Sequence, residues 1–398
     1  MIMKLKIFSL AAIFFVTLFA CGCLANAENT TSKDNSAQIN ENVDAVKNNL
    51  SSAQSGGKFT KAEDIDPVEE ILQSMSLTEK VGQMMIVGVH GTAVNDDIKY
   101  ILNQYHYGGI IFFDRNMQSK AQVKSFVDEL NAVANEKVPL FIALDEEGGR
   151  VSRMKEALEV MPSQQEIGNS GDPTYAYDTA RQLSQNLREI GVNINFAPVA
   201  DVGPDTRHFS TNTDVVTDFI SYAAQGYDNE KFFYCLKHFP GIGKSKIDPH
   251  KDISEIDDDI DTLYVEELPP FKEVIDHHDH SNFMVMIGHL RYPALDPENP
   301  ASISPAIITG LLRNELGFKG VIITDDLEMG ATKDYHDNIG VNAIKAGVDI
   351  ALVCHEYPSQ EKVYLSILEA VQRGEISEER INESVRRILK MKLKLMNQ

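Results

Sequence analysis

Short apolar runs recur along the chain after residue 80, at 84–89, 109–113, 140–144, 193–197, 232–236, 283–287, 321–324 and 349–354. Most are near-continuous in Ile, Val, Leu, Phe or Met instead of alternating with polar residues. Strands covered on both faces have this pattern, which predicts a parallel sheet. Amphipathic helical patterns lie between the runs, among them 121–135, 175–190, 305–316 and 361–373. Ser76-Leu77-Thr78-Glu79 has the capping-box form that opens a helix. A last helix is predicted from about Ser377, with Glu378 and Glu379 favourable in its first turn. Eight strands alternating with helices predict an α/β fold of the (β/α)₈ TIM-barrel type over 67–398. A doubly wound open sheet is the alternative, weakened because no Gly-x-Gly-x-x-Gly follows the first strand.

The first residues read as an address. Lys4 and Lys6 precede an apolar stretch over 7–20, interrupted only by Ser9 and Thr17. A charged start and a short apolar core make a secretory signal over 1–27, too short for a membrane span. Two processing sites compete. Leu18-Phe19-Ala20-Cys21 resembles a lipoprotein box with Cys21 as the lipidated residue. Ala25-Asn26-Ala27 fits ordinary cleavage after Ala27. Residues 28–66 are rich in Asn, Ser, Asp, Glu and Lys, cannot bury enough apolar surface to offset ordering, and read as a disordered linker. Export follows, either as a membrane-anchored lipoprotein or as a periplasmic or extracellular protein.

Charge narrows the partners. The 398 residues carry a formal charge of −22, which repels polyphosphate and anionic headgroups and disfavours nucleic acid as a partner. Trp is absent. Beyond the leader, Cys235 and Cys354 lie in apolar runs, as buried free thiols do; a disulfide between them is the less favoured reading.

A barrel places chemistry after its strands. Run three ends in Asp145-Glu146-Glu147-Gly148-Gly149-Arg150, and run four leads to Asp201. Run five ends in Lys237-His238-Phe239-Pro240-Gly241, run six in Gly288-His289 and run seven in Asp325-Asp326. Charged groups stacked at one end of so many strands are costly unless they serve a ligand.

These residues carry a resemblance. Lys237-His238-Phe239-Pro240-Gly241 followed by Asp248-Pro249-His250 resembles glycoside hydrolase family 3, as do Asp145-Glu146-Glu147-Gly148-Gly149-Arg150-Val151 and Ile323-Thr324-Asp325-Asp326-Leu327. The likeness runs from about residue 68 to the C-terminus and is nearest to the single-barrel β-N-acetylglucosaminidases. Retaining cleavage needs a nucleophile on one side of the anomeric carbon and a proton donor on the other, usually two carboxyl groups about 5–5.5 Å apart. The resemblance implies Asp325 as nucleophile; Asp326 is the better candidate for capping the next helix. It implies His250 as acid/base and Asp248 as its partner. An imidazole titrating near 6.5 suits proton transfer at neutral pH, and a carboxylate can orient it. Pro249 limits the conformations between them. It further implies Asp145, Arg153, Arg207, Lys237 and His238 as substrate-binding residues, with Lys237 and His238 donating to sugar hydroxyls.

Departures bear on loop shape and aglycone preference. Gly241-Ile242-Gly243 stands where the family often has Gly-His-Gly, Pro249 where Ser is common, and the loop from Asp201 to Arg207 is short. Larger two-domain members take their donor from a second domain; the eighth unit lies near the end of this sequence, so a local donor such as His250 is expected. His277-His278-Asp279-His280 precedes strand six, at the end away from chemistry, and reads as a solvated loop. Asp257-Asp258-Asp259-Ile260-Asp261 lacks the Gly and closing Glu of a calcium loop and reads as a helix start. No metal and no organic cofactor is implied. The expected protein is an exported retaining exo-β-N-acetylglucosaminidase that takes GlcNAc-containing peptidoglycan fragments through a glycosyl-aspartate intermediate. A phosphorylase or a β-glucosidase on the same residues, and a non-catalytic surface sugar-binding lipoprotein, are the alternatives.

Overall fold

Every apolar run contains a strand. In a computed structural model describing residues 66–134, 138–155, 159–245, 254–330, 332 and 338–396, these are β1 Met85–Gly88, β2 Gly109–Ile111, β3 Phe141–Leu144, β4 Ile194–Asn195, β5 Phe233–Phe239 and β6 Phe283–Ile287. Two further strands, β7 Arg291–Tyr292 and β8 Asp296–Pro300, follow. β9 Val321–Thr324 and β10 Ala351–Val353 complete the set. Eight of them form one parallel sheet in the order β10-β1-β2-β3-β4-β5-β6-β9. A parallel bridge between Ile323 and Ile350, with Thr324 N–H donating to Ile350 O at 3.1 Å, joins the two ends. The circuit is a (β/α)₈ TIM barrel, and the open doubly wound sheet is excluded. β1, β3, β6 and β9 are buried throughout, because barrel interior covers one face and helices the other. That burial is why the runs do not alternate.

Helices form where the periodicity places them. The capping box is made: Ser76 N–H donates to Glu79 Oε2 at 2.8 Å, and Glu79 N–H returns to Ser76 Oγ at 3.3 Å. Asp66 caps Pro67–Ser74, the first helix among the described residues. Predicted helices 121–135 and 175–190 form as Lys120–Val133 and Thr174–Glu189. The helix predicted at 361–373 starts earlier, as Tyr357–Gln372, with a proline in its first turn. Ser377 caps Glu378–Leu395 by accepting from Arg380 N–H. The 305–316 prediction is corrected in kind: Ala306–Glu315 is π-helical, with Leu316 N–H reaching Leu311 O at 2.9 Å. At the base of the barrel, Lys392 is buried and donates to Gln83 Oε1 at 2.7 Å and Gly108 O at 2.6 Å. Burial drives its ammonium well below the ordinary lysine range.

The acidic run does open a helix, since Asp259 caps Ile260–Thr262. His278 pairs with Asp228 at 2.6 Å, and His280 Nε2 donates to Ile275 O at 2.6 Å, both ahead of β6. Cys235 and Cys354 are free and buried. The expected signal, Cys21, the linker over 28–65, and the Asp248 and His250 pair lie outside the described residues.

Candidate active site

Chain direction puts the ends of the parallel strands at one mouth, and the polar residues after them meet there. The turn after β3 is built first. Asn195, in β4, pins it through Glu146 N–H to Asn195 Oδ1 at 2.9 Å and Asn195 Nδ2 to Glu146 O at 2.8 Å. Gly148 and Gly149 have φ of +87° and +56°. A Cβ on Gly148 would lie 2.3 Å from Pro162 O, so only glycine fits the reversal. The chain then doubles back, Glu147 N–H donating to Val151 O at 2.9 Å. This reversal returns Arg153 to Asp145, with Nη2 and Oδ2 3.1 Å apart.

A charge network links this turn to β5 and to the segment after β4. Lys237 Nζ lies 2.7 Å from Asp145 and 2.7 Å from Glu147. Arg207 grips Glu147 through Nε at 2.7 Å and Nη2 at 2.8 Å. Burial alone would discharge Lys237, but Asp145 and Glu147 hold its ammonium above the ordinary range. The reciprocal effect outweighs burial at Asp145 and Glu147 and keeps both carboxyls below theirs. Register between β5 and β6 slips between Leu236 and Phe239, and successive residues Lys237 and His238 both find partners in the site. His238 Nδ1 lies 2.8 Å from Asp201 Oδ2, and its backbone N–H donates to Asp201 Oδ1 at 3.1 Å. Asp201 thereby faces an N–H on Nδ1, and Nε2 lies 3.5 Å from Arg207 Nη2. Burial would raise Asp201, yet His238 beside it pulls the carboxyl down to about 2.

Asp325 follows β9. Its N–H donates to Ile287 O at 2.9 Å, and its Oδ1 accepts from Asp326 N–H at 2.8 Å. Burial pushes this carboxyl up, but His238, His289, the Asp326 N–H and Lys237 together hold it below its ordinary value. It is therefore an anion at neutral pH. His289 is fully enclosed, with Nε2 donating to Asp326 O at 2.9 Å and Nδ1 accepting from Ser302 Oγ at 2.8 Å. Burial lowers its pKa against the opposing pull of Asp325, and its two ring bonds support the turn that carries Asp325 from beneath.

Thus Asp145, Arg153, Arg207, Lys237, His238 and Asp325 converge at one end of the barrel, while Asp248 and His250 fall outside the described residues. Asp201, Glu147 and His289 were visible after their strands without an assigned role. Only their long-range partners reveal one.

The matched family model is the glycosyl hydrolase family 3 N terminal domain, over residues 76–391. The chain belongs to glycosyl hydrolase family 3. Beta-hexosaminidase A of Pseudoalteromonas piscicida is 32% identical over 338 residues, 76% of this chain and 56% of that protein. A beta-hexosaminidase of Stenotrophomonas maltophilia (strain R551-3) is 35% identical over 288 residues, 68% of this chain and 83% of that protein. Among solved structures, a family 3 beta-N-acetylglucosaminidase from Paenibacillus sp. str. FPU-7 superposes with a TM-score of 0.78 at 36% identity, over 80% of this chain and 62% of that one. The chain thus spans little more than half of the Pseudoalteromonas protein and under two thirds of the Paenibacillus enzyme. The family 3 match includes the turn after β3, the β5 end and Asp325.

Proposed function

We propose that this family 3 protein is a retaining exo-β-N-acetylglucosaminidase. The observation that carries the reading is Asp325: a carboxylate kept ionised after a barrel strand, within the electrostatic reach of Lys237 and His238. Such a group can attack an anomeric carbon and form a glycosyl-enzyme ester. Asp145, Lys237, Arg207 and His238 offer acceptors and donors for the hydroxyls of one terminal sugar. The names of the relatives support N-acetylhexosamine as that sugar. His250 would protonate the departing oxygen and then deprotonate water, with Asp248 orienting it. Glycan fragments of peptidoglycan, which carry terminal β-linked N-acetylglucosamine, are the proposed substrates.

An aryl glycoside panel tests this. Aryl N-acetylglucosaminide should be cleaved far faster than aryl glucoside, and the products should be unchanged by added phosphate. Glucoside preference would favour a β-glucosidase, and sugar 1-phosphate a phosphorylase; tight sugar binding without turnover would leave only a lectin-like role. His250→Ala should cut turnover of a phenyl glycoside by about 10²-fold or more while sparing the 2,4-dinitrophenyl glycoside, whose departure needs no proton. Equal loss on both would remove His250 from the mechanism.

The leader supports export with a lipid anchor at Cys21. Wild type should partition with membranes and Cys21→Ala should be released; a variant still membrane-bound would refute lipidation.

A further inference from the structure

Glu267 is a buried acid that the chemistry above does not use. Only 1% of its surface is exposed, and among the described residues neither carboxyl oxygen has a hydrogen-bond partner. An enclosed group left unpaired in this way is uncommon and costly. Its location is the informative feature. Gly241, with φ of +127°, lies so close that a Cβ there would fall 2.4 Å from Glu267 Oε2 and 2.9 Å from Glu267 Cβ. The carbonyl of Gly241 is fixed from the other side by Tyr292 Oη at 2.6 Å. The next residue, Ile242, donates its N–H to Asp201 Oδ1 at 2.9 Å, the same oxygen that holds the backbone of His238.

Lys244 ties the two flanks of segment 246–253 together. It lies beyond β5, three residues after Gly241, and its Nζ is 2.7 Å from Asp258, 2.6 Å from Glu266 and 3.6 Å from Glu267. All three acids follow the segment in sequence. Ser245 Oγ to Ser254 Oγ, at 3.2 Å, closes the same base.

We propose that Glu267 is a positioning residue for the proton-donor segment: its carboxyl, seated under Gly241 and within ion-pair range of Lys244, sets where that segment leaves and rejoins the barrel. The inference rests on the reading that Asp248 and His250 supply the proton. The charged groups facing Glu267 are Asp201 from the β4 side, Lys244 from the β5 side, and Asp258 and Glu266 from the flank that follows; Tyr292 packs from β7. Burial first, then Asp201 and Asp258, push the Glu267 carboxyl up to about 7 against the pull of Lys244. Below that pH it is neutral. The observed geometry, with Lys244 bonded to Asp258 and Glu266 and only near Glu267, is what a neutral Glu267 allows. Ionisation above about 7 makes Glu267 a competitor for Lys244 and loosens the base.

Phenyl and 2,4-dinitrophenyl N-acetylglucosaminides test this, with circular dichroism melting to show that each variant folds. Glu267→Ala should lower kcat/KM on the phenyl substrate by about tenfold or more and change the dinitrophenyl substrate by less than about threefold. Glu267→Gln cannot ionise, so its phenyl activity relative to wild type should rise at least about threefold between about pH 6 and pH 8. Parallel loss on both substrates, no loss on either, or a flat ratio across that range overturns the proposal. Should the Ala variant fail to fold, the Gln ratio decides alone. His250→Ala run alongside separates the two ideas. If it does not discriminate between leaving groups, the donor reading fails; if it does and Glu267→Ala does not, only the positioning role fails.

Discussion

Asp325→Asn should lower turnover of any β-N-acetylglucosaminide by roughly 10⁴-fold or more, with the protein still folded. The size of the loss follows from what the carboxylate does. On the proposed mechanism it forms a bond to carbon, and an amide oxygen of similar shape is a far poorer nucleophile. Its environment makes it ready for attack. One oxygen, Oδ1, accepts from the Asp326 N–H, which restricts the rotamer. His238, His289 and Lys237 keep it ionised despite burial. Because its pKa is depressed, the acid limb of kcat/KM should lie below the ordinary carboxylate range; on the proposed mechanism the alkaline limb should follow an imidazole donor, near 6.5 when unperturbed. A fluorinated N-acetylglucosamine with a good leaving group should accumulate as an ester on Asp325 and be absent from the Asn variant. An Ala variant guards against traces of activity from deamidated Asn. Labelling of Asp326 or Glu328 instead, or an Asn variant within tenfold of wild type, would refute the assignment.

The sequence disclosed the barrel because burial on both faces writes itself into a strand as an unbroken apolar run, visible within five residues. The polar residues after each run were equally legible, since strand ends share one mouth in a parallel barrel. Less was legible where the cause is distant. Glu147 sits inside a recognisable motif, yet its function depends on Arg207 and Lys237, 60 and 90 residues away. Glu267 reads locally as the residue before a Leu-Pro-Pro helix start, and only the fold brings Gly241 onto it. The β7–β8 hairpin escaped for another reason: Asp296-Pro297-Glu298-Asn299-Pro300 has turn composition, not strand composition. Asp296 holds it by accepting from the Glu298 and Asn299 N–H groups at 3.0 and 3.1 Å and from Ser304 Oγ at 2.6 Å. The π-helical winding of Ala306–Glu315 has the same apolar face as an α-helix would and left no separate mark.

Glu147→Ala should be the most destabilising single change in the site. Glu147 is enclosed and is the shared partner of two cations, Arg207 through two bonds and Lys237 at 2.7 Å. Its removal leaves the half-buried Arg207 without its carboxylate partner and Lys237 with Asp145 alone. Breaking a buried pair from one side costs about 3–5 kcal/mol, which in a domain of this size lowers the melting temperature by on the order of 10 °C. Gln should not rescue it, because its amide N–H₂ would face a cation. The pH dependence gives a second readout with a definite sign. The folded Glu147 carboxyl lies below its ordinary value because Lys237 and Arg207 outweigh burial. Its contribution is therefore complete above the unfolded value of about 4.3 and is lost as pH falls below it towards the folded value. Asp145, Asp201 and Asp325 are depressed in the same sense, so wild type should lose stability steeply in acid. The Glu147 variants, starting lower, should show a shallower acid slope. Melting curves from about pH 7 to pH 3 test both statements together: a variant that melts with wild type at neutral pH, or that shares its full acid slope, would mean that the Glu147 bridge does not hold Arg207 and Lys237 in place.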